Sequence, residues 1–343
     1  MYDIITFGSA TRDIFLNIDG LKVIKGKSIT GELLALASDS KIPVEDLYIR
    51  TGGGGTNTAT TFINQGFGVA YCGAVGDDKM GKEVVDDLKN RGVDCSFISY
   101  IKGKQTNCSV VLSSPSLHRT NLVFRGASSF LEKKNISFNK LKKAKWFYFA
   151  PFAKENIELF ISLVDFAFKN KIKVAVNPGL PQLLLPLAKL KQFLSKTDIL
   201  VLNQEEASLL TKIPYQKEIE IFKRIDELCP GIAIMTKGGV GVTVSDGKYL
   251  YSAPSLRSKE MILVDATGAG DAFGSGFVAG LIRTNDIIKA IQLGMANSAS
   301  CLSKWGAKDG LLKKKDKFSL VKVIVNKCGN NCLIKNIFNE ILT

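Results

Sequence analysis

Residues 265–277 read DATGAGDAFGSGF and follow a short strand-like run. Gly268 and Gly270 allow the backbone to turn tightly, with a positive φ where the turn requires one. From Ala269 onward, small and apolar residues recur at helical spacing. The stretch therefore predicts a strand that turns directly into a helix, with residues 268–271 in the first helical turn.

The first turn of this predicted helix carries N–H groups that have no partner within the helix. Together with the helix dipole, these groups would form a hole for an anion such as a phosphate. Asp271 stands in the same turn, where its carboxylate could take a proton from a hydroxyl aligned on a γ-phosphorus. The same residues also suit a tightly packed glycine turn in which Asp271 is only a helix-start charge. From these residues alone, both interpretations stay open.

Outward from this stretch, short β-branched runs alternate with longer helical patterns. The strand-like runs are residues 2–7, 69–75, 146–150, 174–176, 199–202, 232–236 and 241–245. The helical patterns are residues 57–65, 79–91, 156–169, 204–211 and 219–228. Such alternation predicts an α/β fold with a mostly parallel central sheet that is covered by helices on both faces.

Two segments interrupt the alternation. Residues 14–50 and 96–126 read as hairpin-rich strands, with turns at Asp19-Gly20 and Lys102-Gly103. They flank the first α/β unit without extending it. We therefore expect a small β-sheet flap that is inserted into the main domain.

The domain organisation is predicted from a change of composition near residue 312. Residues 1–312 would form one α/β domain together with the flap. Residues 313–343 are lysine-rich and then mildly apolar. This pattern predicts a C-terminal extension with one or two helices.

The composition of the 343 residues excludes several protein classes. Hydrophobic residues make up 45% and charged residues 23%, which is typical of a globular chain and not of a disordered, collagen-like or disulfide-rich one. No apolar run approaches the roughly 18–20 residues that span a bilayer. The first ten residues, MYDIITFGSA, lack a basic n-region and a cleavage site. We therefore expect a cytoplasmic protein that does not bind membranes.

The net charge of +14 comes mainly from lysines that are spread along the chain. A nucleic-acid-binding protein more often interleaves arginine and aromatic residues on one face, so we expect no specific nucleic-acid partner. Cys328 and Cys332 are separated by three residues rather than two, and the single histidine, His118, lies far from them. We expect neither a zinc site nor histidine-based catalysis.

Three further stretches suit ligand binding but also plain structure. Residues 51–57 read TGGGGTN, which permits a ligand to approach bare backbone and equally describes a flexible loop. Residues 236–241 read TKGGVG, which fits a nucleotide-side turn or a simple hairpin turn. Asn203 and Glu206 stand at a strand end that opens a helix, where they could also form a capping box.

Taken in order, these motifs resemble those of the ribokinase-like (PfkB) family of sugar and nucleoside kinases. The resemblance covers roughly residues 1–312, and the motif at residues 265–271 is highly specific. It implies a ribokinase-like three-layer α/β/α sandwich with a mostly parallel central sheet and a small β-sheet lid formed by the two flap segments. It also implies ATP as the phosphoryl donor, with Mg²⁺ on its phosphates.

The resemblance further implies roles for single residues. Asp271 matches the family's catalytic base, and the anion hole matches Gly268, Ala269 and Gly270. The residues that match the ATP-binding side are Asn203, Glu206, Thr236, Gly238, Gly241 and Asn297. Glu206 would hold Mg²⁺ through water, and Asn297 would lie beside the adenine.

Two other groups of residues match the family in the same way. The residues that match the acceptor side are Asp13, Gly53, Gly54 and Asn57. Asp265 and Thr267 resemble the residues beside a monovalent cation, usually K⁺, which shapes the anion hole.

The expected activity is an ATP-dependent phosphotransferase with an alcohol group as acceptor. A sugar is the first expected acceptor, and a nucleoside such as adenosine is the second. A non-catalytic nucleic-acid-binding protein is a third reading. We expect either a monomer or a homodimer joined through the lid, because the family includes both.

Some residues depart from the pattern of ribokinase itself. Thr11 and Gly54 stand where ribokinase has Asn and Lys, which alters the acceptor pocket without touching the catalytic parts. Arg119 and Arg125 resemble residues of the lid strand that contact an acidic or phosphorylated acceptor in some family members. They fit solvated strand charges equally well, so their role stays open.

Overall fold

The structure, a computed structural model, describes residues 1–18, 21–26, 32–113, 119–256 and 263–327. Its strands are β1 (Tyr2–Phe7), β2 (Thr11–Asn17), β3 (Lys22–Lys25), β4 (Glu32–Ala35), β5 (Asp46–Gly52), β6 (Val69–Gly76), β7 (Asp94–Ile101), β8 (Asn107–Ser113), β9 (Arg119–Phe124), β10 (Ala144–Phe149), β11 (Lys173–Val176), β12 (Ile199–Asn203), β13 (Ile232–Thr236), β14 (Gly241–Ser245), β15 (Tyr249–Pro254) and β16 (Ile324–Lys327). Its helices are α1 (Gly54–Asn64), α2 (Lys79–Asn90), α3 (Phe138–Leu141), α4 (Ile157–Lys169), α5 (Leu180–Leu183), α6 (Leu187–Leu194), α7 (Gln204–Thr211), α8 (Glu218–Leu228), α9 (Ala269–Thr284) and α10 (Ile287–Cys301). The predicted turn Asp19-Gly20, His118, Cys328 and Cys332 lie outside the described residues.

A central sheet forms the middle layer of the molecule. In the described part of the chain it has ten strands, in the order β16-β15-β14-β13-β12-β11-β10-β1-β6-β7. The strands from β13 to β7 run parallel, and β14, β15 and β16 are antiparallel. Every residue of β6 is buried, as expected for a strand whose two faces are both covered. The predicted α/β fold with a mostly parallel sheet is confirmed.

Hydrophobic cores lie on both faces of this sheet. On one face, the side chains of Phe160 from α4 and Phe193 from α6 pack against the strands. On the other face, Phe62 from α1, Phe277 from α9 and Ile291 from α10 do the same. The result is the three-layer sandwich, in which α1 also packs directly against α9.

The lid is a separate four-stranded sheet in the order β5-β2-β8-β9. Strand β2 pairs antiparallel with β5 and parallel with β8, so both predicted flap segments contribute. The expected segment 96–126 is nevertheless wrong at its start, because β7 pairs parallel with β6 in the central sheet. The second lid segment begins only at Asn107. Apolar and polar residues alternate in an edge strand with one exposed face, as they do in a lid strand. The local sequence pattern therefore did not distinguish β7 from the lid strands.

The expected boundary at residue 312 is also corrected. Strand β16 pairs antiparallel with β15 and forms the edge of the central sheet, and Val321 is 5% exposed. Residues 313–327 contain no helix, and they belong to the main domain rather than to a separate extension. The rest of the expected extension, residues 328–343, lies outside the described residues.

The carboxyl ends of the parallel strands meet at one edge of the sheet. β1 lies between β10 and β6. On one side of β1 the sheet continues with β6 and β7, and on the other side it continues with β10, β11, β12 and β13. In open α/β sheets, ligands bind outside the carboxyl ends at such a reversal of strand order. The candidate site therefore lies where β1, β10, β12 and β13 end, beneath the lid.

Candidate active site

The start of α9 opens onto free space. Gly268 precedes the helix with φ +78°, and a Cβ on this residue would lie 2.2 Å from the Cβ of Ala307. Gly268 is therefore required both by its backbone conformation and by close packing. At Gly270, by contrast, an added Cβ would meet no atom within 4 Å. The first turn of α9 therefore leaves open space beside Gly270, and the N–H groups of such a turn have no partner within the helix.

Asp271 lies where the starts of two helices meet. Its Oδ2 atom accepts a 2.9 Å hydrogen bond from Nδ2 of Asn57 in α1. Its Oδ1 atom is close to the start of the same helix, since a Cβ on Gly54 would lie 3.4 Å from it. The structure therefore brings together the predicted base and two of the predicted acceptor-side residues.

Burial raises the pKa of Asp271 above that of an ordinary aspartate. The hydrogen bond from Asn57 opposes this effect because it favours the charged carboxylate, and the charge of Asp13 adds to it. A carboxylate with increased proton affinity is a better general base than a solvated one, provided that it stays ionised at neutral pH.

A cavity of about 190 Å³ adjoins the start of α9. It is lined by Thr236, Gly238 and Gly241, and on the opposite side by Ala269 and Gly270. The turn at residues 236–241 is indeed a hairpin turn between antiparallel strands β13 and β14. The hairpin interpretation is confirmed, and the nucleotide-side role of this turn stays a prediction, although the hairpin lines the cavity beside the predicted anion hole.

Asn203 and Glu206 form a reciprocal capping box at the start of α7. The Glu206 N–H donates to Asn203 Oδ1, and the Asn203 N–H donates to Glu206 Oε2, each at 2.8 Å. Burial raises the pKa of Glu206, and the negative charges of Glu205 and Asp271 raise it further. The capping role is therefore realised, and the Glu206 carboxylate also stands within electrostatic reach of Asp271.

Asp13 lies on the lid strand β2 and is 6% exposed. Its Oδ1 atom accepts a 2.5 Å hydrogen bond from the Ser109 hydroxyl of β8. Its Oδ2 atom occupies the space that a side chain at position 52 would fill, since a Cβ on Gly52 would lie 1.9 Å from it. Burial raises the pKa of Asp13. Gly53, with φ +96°, then leads the chain into α1.

Asp265 and Thr267 organise the loop that precedes α9. The Asp265 Oδ1 atom accepts hydrogen bonds from the N–H of Thr267 at 3.0 Å and from its hydroxyl at 2.8 Å. The Oδ2 atom accepts from the N–H of Gly306 at 3.0 Å. The pair thus connects the start of α9 to the loop after α10, the neighbourhood in which a monovalent cation was expected.

Asn297, predicted to lie beside the adenine, is directed into the core. Its side chain is fully buried, and its Nδ2 atom donates to the Ala272 carbonyl at 2.8 Å and to the Thr61 hydroxyl at 3.3 Å. Its Oδ1 atom accepts from the N–H of Leu312 at 2.9 Å. These contacts hold the amide inside the core, and its place beside the adenine stays a prediction. Met295 and Ser298, from the neighbouring face of α10, line the cavity.

Lys308 is a residue of the site region that sequence analysis missed. Its side chain is 3% exposed, and its Nζ atom lies 2.9 Å from the Thr51 hydroxyl and 3.1 Å from Asp87 Oδ2. Burial lowers the pKa of Lys308 to about 8. The contacts join lid strand β5 to α2 and to the loop after α10. Nothing in the local sequence distinguishes this lysine from the many exposed ones.

Arg125 is exposed at the end of lid strand β9. With Ser9, Asn107 and Ser128, it lines a small cavity of about 90 Å³ beside the end of β1. Asn107 holds the chain after Arg125 in place, since its Oδ1 accepts hydrogen bonds from the N–H groups of Gly126 and Ser128. The side chain of Arg119 lies outside what the structure describes.

Comparison with known proteins decides the family. The sequence model of the pfkB family carbohydrate kinases matches residues 17–314. The chain belongs to the pfkB family of carbohydrate kinases. This membership confirms the predicted resemblance, and it makes the protein a phosphotransferase with an alcohol group as acceptor. The third reading, a non-catalytic nucleic-acid-binding protein, has no support.

Individual relatives of this kinase agree with the family assignment. The ribokinase of Haemophilus influenzae is 27% identical over 275 residues, which are 78% of this chain and 86% of that one. Ribokinase from Arabidopsis thaliana, solved with ribose and ATP, has a TM-score of 0.74 at 19% identity and covers 92% and 96% of the two chains. A nucleoside kinase from Methanocaldococcus jannaschii has a TM-score of 0.72 at 18% identity, with 90% and 95% covered. These likenesses establish the ribokinase-like fold.

Among the described residues of this kinase, no helix is both long and apolar enough to cross a membrane. Within the same residues, no group of three or more His, Cys, Asp or Glu side chains is arranged to hold a metal ion.

Proposed function

We propose that this kinase transfers the γ-phosphoryl group of ATP to a hydroxyl of a sugar, and that Asp271 is the base that removes the hydroxyl proton. The observation that carries the proposal is the position of the Asp271 carboxylate. It lies between the open space at Gly270 and the acceptor-side residues Asn57 and Gly54. A base must reach the acceptor hydroxyl while the phosphate is held nearby, and this position meets both conditions.

The amides of Gly268, Ala269 and Gly270 form the proposed anion hole. They stand at the start of α9, where N–H groups and the helix dipole would stabilise negative charge that develops on a transferring phosphoryl group. The Ala269 N–H makes only a long contact, 3.4 Å, with the Ala266 carbonyl. When bound, ATP supplies the phosphoryl group, and the protein contributes alignment and charge stabilisation rather than covalent chemistry. A donor of this kind is worth about 3 kcal/mol of barrier lowering.

The proposed nucleotide site is the 190 Å³ cavity at the start of α9. Thr236, Gly238 and Gly241 form one wall, and the absence of side chains at the glycines lets a nucleotide approach the backbone. Gly241 also has φ +129°, a conformation that favours glycine. Met295 and Ser298 would contact the base side.

The residues present also fit the two cations that the family implies. Burial raises the pKa of Glu206, and the charge of Asp271 adds to this effect, so a Mg²⁺ ion bound to ATP phosphates would relieve the repulsion between these carboxylates. We propose that Glu206 holds this ion through water, while Asn203 keeps the carboxylate oriented. Asp265 and Thr267 would support a K⁺ ion beside the loop that forms the anion hole.

The acceptor is proposed to lie between Asp13 of the lid and the start of α1. Asp13 would accept hydrogen bonds from acceptor hydroxyls, while Gly53 and Gly54 leave room for them. The adjacent cavity is small, about 90 Å³, and is lined by both polar and apolar residues; its size favours a sugar over a larger nucleoside. A nucleoside acceptor is the alternative, and the likeness to the nucleoside kinase of M. jannaschii favours it.

The lid also supports a proposal for the oligomeric state. Register in the lid sheet puts Ile14, Ile49, Val110 and Leu122 on one face and Asp13 on the opposite face. Ile49 and Leu122 are 41% and 54% exposed, so this apolar face is open to solvent. Of the two expected states, these residues favour the lid-mediated homodimer over the monomer, and light scattering of the purified chain tests this directly.

The test of the proposed function is a screen of acceptors. ADP formation is measured with ATP and ribose, fructose, adenosine, cytidine or inosine, each with and without K⁺. We expect one sugar to give turnover well above the rate without acceptor, and to raise the melting temperature by mass action. Turnover with nucleosides only would support the alternative, and a lack of stimulation by K⁺ would count against the role of Asp265 and Thr267.

A further inference from the structure

Two buried polar atoms near Asp271 have no hydrogen-bond partner among the described residues. They are Oδ1 of Asn57 and the hydroxyl oxygen of Tyr148. Asn57 is 4% exposed and Tyr148 is fully buried. Because an unpaired buried polar group costs stability, each of these atoms requires a physical explanation.

The Tyr148 hydroxyl lies in the wedge between α1 and α9. Tyr148 belongs to β10, and its ring packs edge-on against Phe62 of α1, with 5.6 Å between the ring centroids. Its hydroxyl reaches the first turns of α9, where a Cβ on Gly274 would lie 2.5 Å from it. Gly274 follows Asp271 by one helical turn. The hydroxyl is therefore enclosed by the same two helices whose starts hold Asn57 and Asp271.

The two unpaired atoms are chemically complementary. A tyrosine hydroxyl can donate a hydrogen bond, and an amide oxygen can only accept one. The other end of the Asn57 amide already donates to Asp271 Oδ2. We propose that Tyr148 is a positioning residue for Asp271: the Tyr148 hydroxyl donates to one buried water, which donates in turn to Asn57 Oδ1 and so keeps the amide nitrogen directed at the carboxylate. This inference rests on the proposed role of Asp271 as the base.

The orientation of the Asn57 amide decides how the carboxylate is stabilised. With its nitrogen toward Asp271, the amide favours the charged form and lowers the pKa that burial raises. If the amide turned over, its oxygen would face the carboxylate and the charged form would be repelled. Tyr148 thus helps to keep the proposed base ionised at neutral pH.

Four titratable groups from the elements around Asp271 are electrostatically coupled to its carboxylate. They are Asp13 from β2, Tyr148 from β10, Glu206 from α7 and Cys301 from α10. The first raises the pKa of Asp271, and the charge of Asp271 raises the pKa of the other three. Burial raises the pKa of the Tyr148 hydroxyl well above 10 and that of the Cys301 thiol to about 12. Both groups are therefore neutral at the pH values of an assay. The negative charge that raises the pKa of Asp271 is that of Asp13, which a change at Tyr148 does not remove.

The test is the pH dependence of kcat/KM in the full-length Tyr148→Phe variant, with ribose or the fastest acceptor of the screen as probe. The acid limb reports protonation of the base, so we expect it to move upward by about half a pH unit or more. The matched control is Tyr251→Phe, which removes a tyrosine hydroxyl that donates to Asp246 at 3.0 Å. An acid limb that stays in place in Tyr148→Phe overturns the inference.

A double-mutant comparison tests whether the effect passes through Asn57. Asn57→Ala alone should move the acid limb upward, and adding Tyr148→Phe should move it no further. If the shifts of the acid limb in the two single variants add in the double variant, Tyr148 does not act through Asn57, and the inference is overturned. A wild-type profile with no acid limb would contradict Asp271 as the base itself, and the inference would fall with it.

A measurement without substrates completes the test. If the Tyr148 hydroxyl is hydrogen-bonded, Tyr148→Phe should unfold at a lower temperature than the wild type. If the hydroxyl is buried without a partner, its removal should raise the melting temperature or leave it unchanged, and this result would overturn the inference independently of catalysis.

Discussion

Nδ2 of Asn57 donates a 2.9 Å hydrogen bond to Oδ2 of Asp271, and the two residues are 214 positions apart in the chain. The bond joins the start of α1, which follows the lid, to the start of α9, which opens onto the nucleotide-side cavity. A single contact therefore connects the acceptor side of the site to the phosphate side. It also fixes the carboxylate on which the proposed reaction depends.

The two glycines at the start of α9 should respond differently to alanine. At Gly268, φ is +78° and the added Cβ would meet Ala307 at 2.2 Å, so Gly268→Ala should destabilise the fold by about 2 kcal/mol or more. At Gly270 the Cβ meets nothing within 4 Å, so Gly270→Ala should leave stability unchanged or raise it by up to ~1 kcal/mol.

Measurement of turnover distinguishes a structural role from a functional role at Gly268 and Gly270. The methyl group of Gly270→Ala would enter the proposed anion hole, so kcat/KM for ATP should fall although the fold is intact. Urea denaturation and a coupled ADP assay measure the two effects. A Gly270→Ala variant with wild-type kcat/KM would show that no phosphate lies against this turn.

Glu206→Gln should separate capping from metal binding. Glutamine also completes a capping box, so the stability of α7 should be retained. The loss of negative charge should raise the Mg²⁺ concentration that gives half-maximal turnover by roughly tenfold, which corresponds to about 1.4 kcal/mol. Glu205→Gln, an exposed change in the same turn, is the control. Equal Mg²⁺ dependence of both variants would rule out the proposed role of Glu206.

Asp13→Asn should weaken binding of the acceptor without weakening binding of ATP. Loss of charge-assisted hydrogen bonds should raise the acceptor KM roughly 10- to 100-fold. A change confined to the KM for ATP would contradict the assignment of Asp13 to the acceptor.

The same variant makes a prediction for stability. Burial raises the pKa of Asp13, so the folded chain holds this proton more tightly than the unfolded chain. The contribution of Asp13 to stability is therefore present at low pH and is lost as the pH rises through its raised pKa. Asp13→Asn should be at least as stable as the wild type at pH 7, and this advantage should disappear at about pH 3.5.

Asp87→Asn should destabilise the joint between the lid and the body. Burial alone would raise the pKa of Asp87. The charge of Lys308, together with the contacts from Thr51 and Arg91, outweighs burial, so this pKa lies below its ordinary value. Removal of the charge leaves Lys308 buried without its ionic partner, which should cost about 3 kcal/mol. Asp86→Asn, an exposed change one position away, should cost far less. Equal losses for both variants would contradict the pairing.

The stability lost in Asp87→Asn should also depend on pH. The pKa of Lys308 is about 8 in the folded chain, below the value of about 10.4 expected in the unfolded chain. Between these values the unfolded chain binds the additional proton, so the stability contribution of Lys308 rises with pH. The cost of Asp87→Asn should therefore shrink above pH 8, as measured by urea denaturation.

Local signals were sufficient for much of the fold. Helix α7 was predicted with its observed bounds, because Asn203 and Glu206 supply capping signals within one turn. The turn into α9 was predicted from the spacing of Gly268 and Asp271. The predicted start of α1 at Asn57 was three residues late, because glycines are poor helix formers. In the structure, Gly55 packs so closely on Gly8 and Tyr71 that no side chain would fit there.

Long-range pairing was not readable from the sequence. Strands β7 and β16 carry the alternating pattern of any half-exposed strand, so their places in the central sheet depend on partners that are distant in the chain. The direction of Asn297 depends on which face of α10 packs inward. The contact between Asn57 and Asp271 joins two motifs that sequence analysis had assigned separately to acceptor and phosphate.

The most direct test of Asp271 as the base is the turnover of Asp271→Asn, measured by ADP formation with the acceptor found in the screen. The change keeps the size of the side chain, so ATP binding measured by calorimetry should be retained. Turnover should fall by roughly 10²- to 10⁴-fold, whereas Glu220→Gln, an exposed carboxylate in the first turn of α8, should keep wild-type activity. An Asp271→Asn enzyme with near-normal turnover would contradict the assignment of the base.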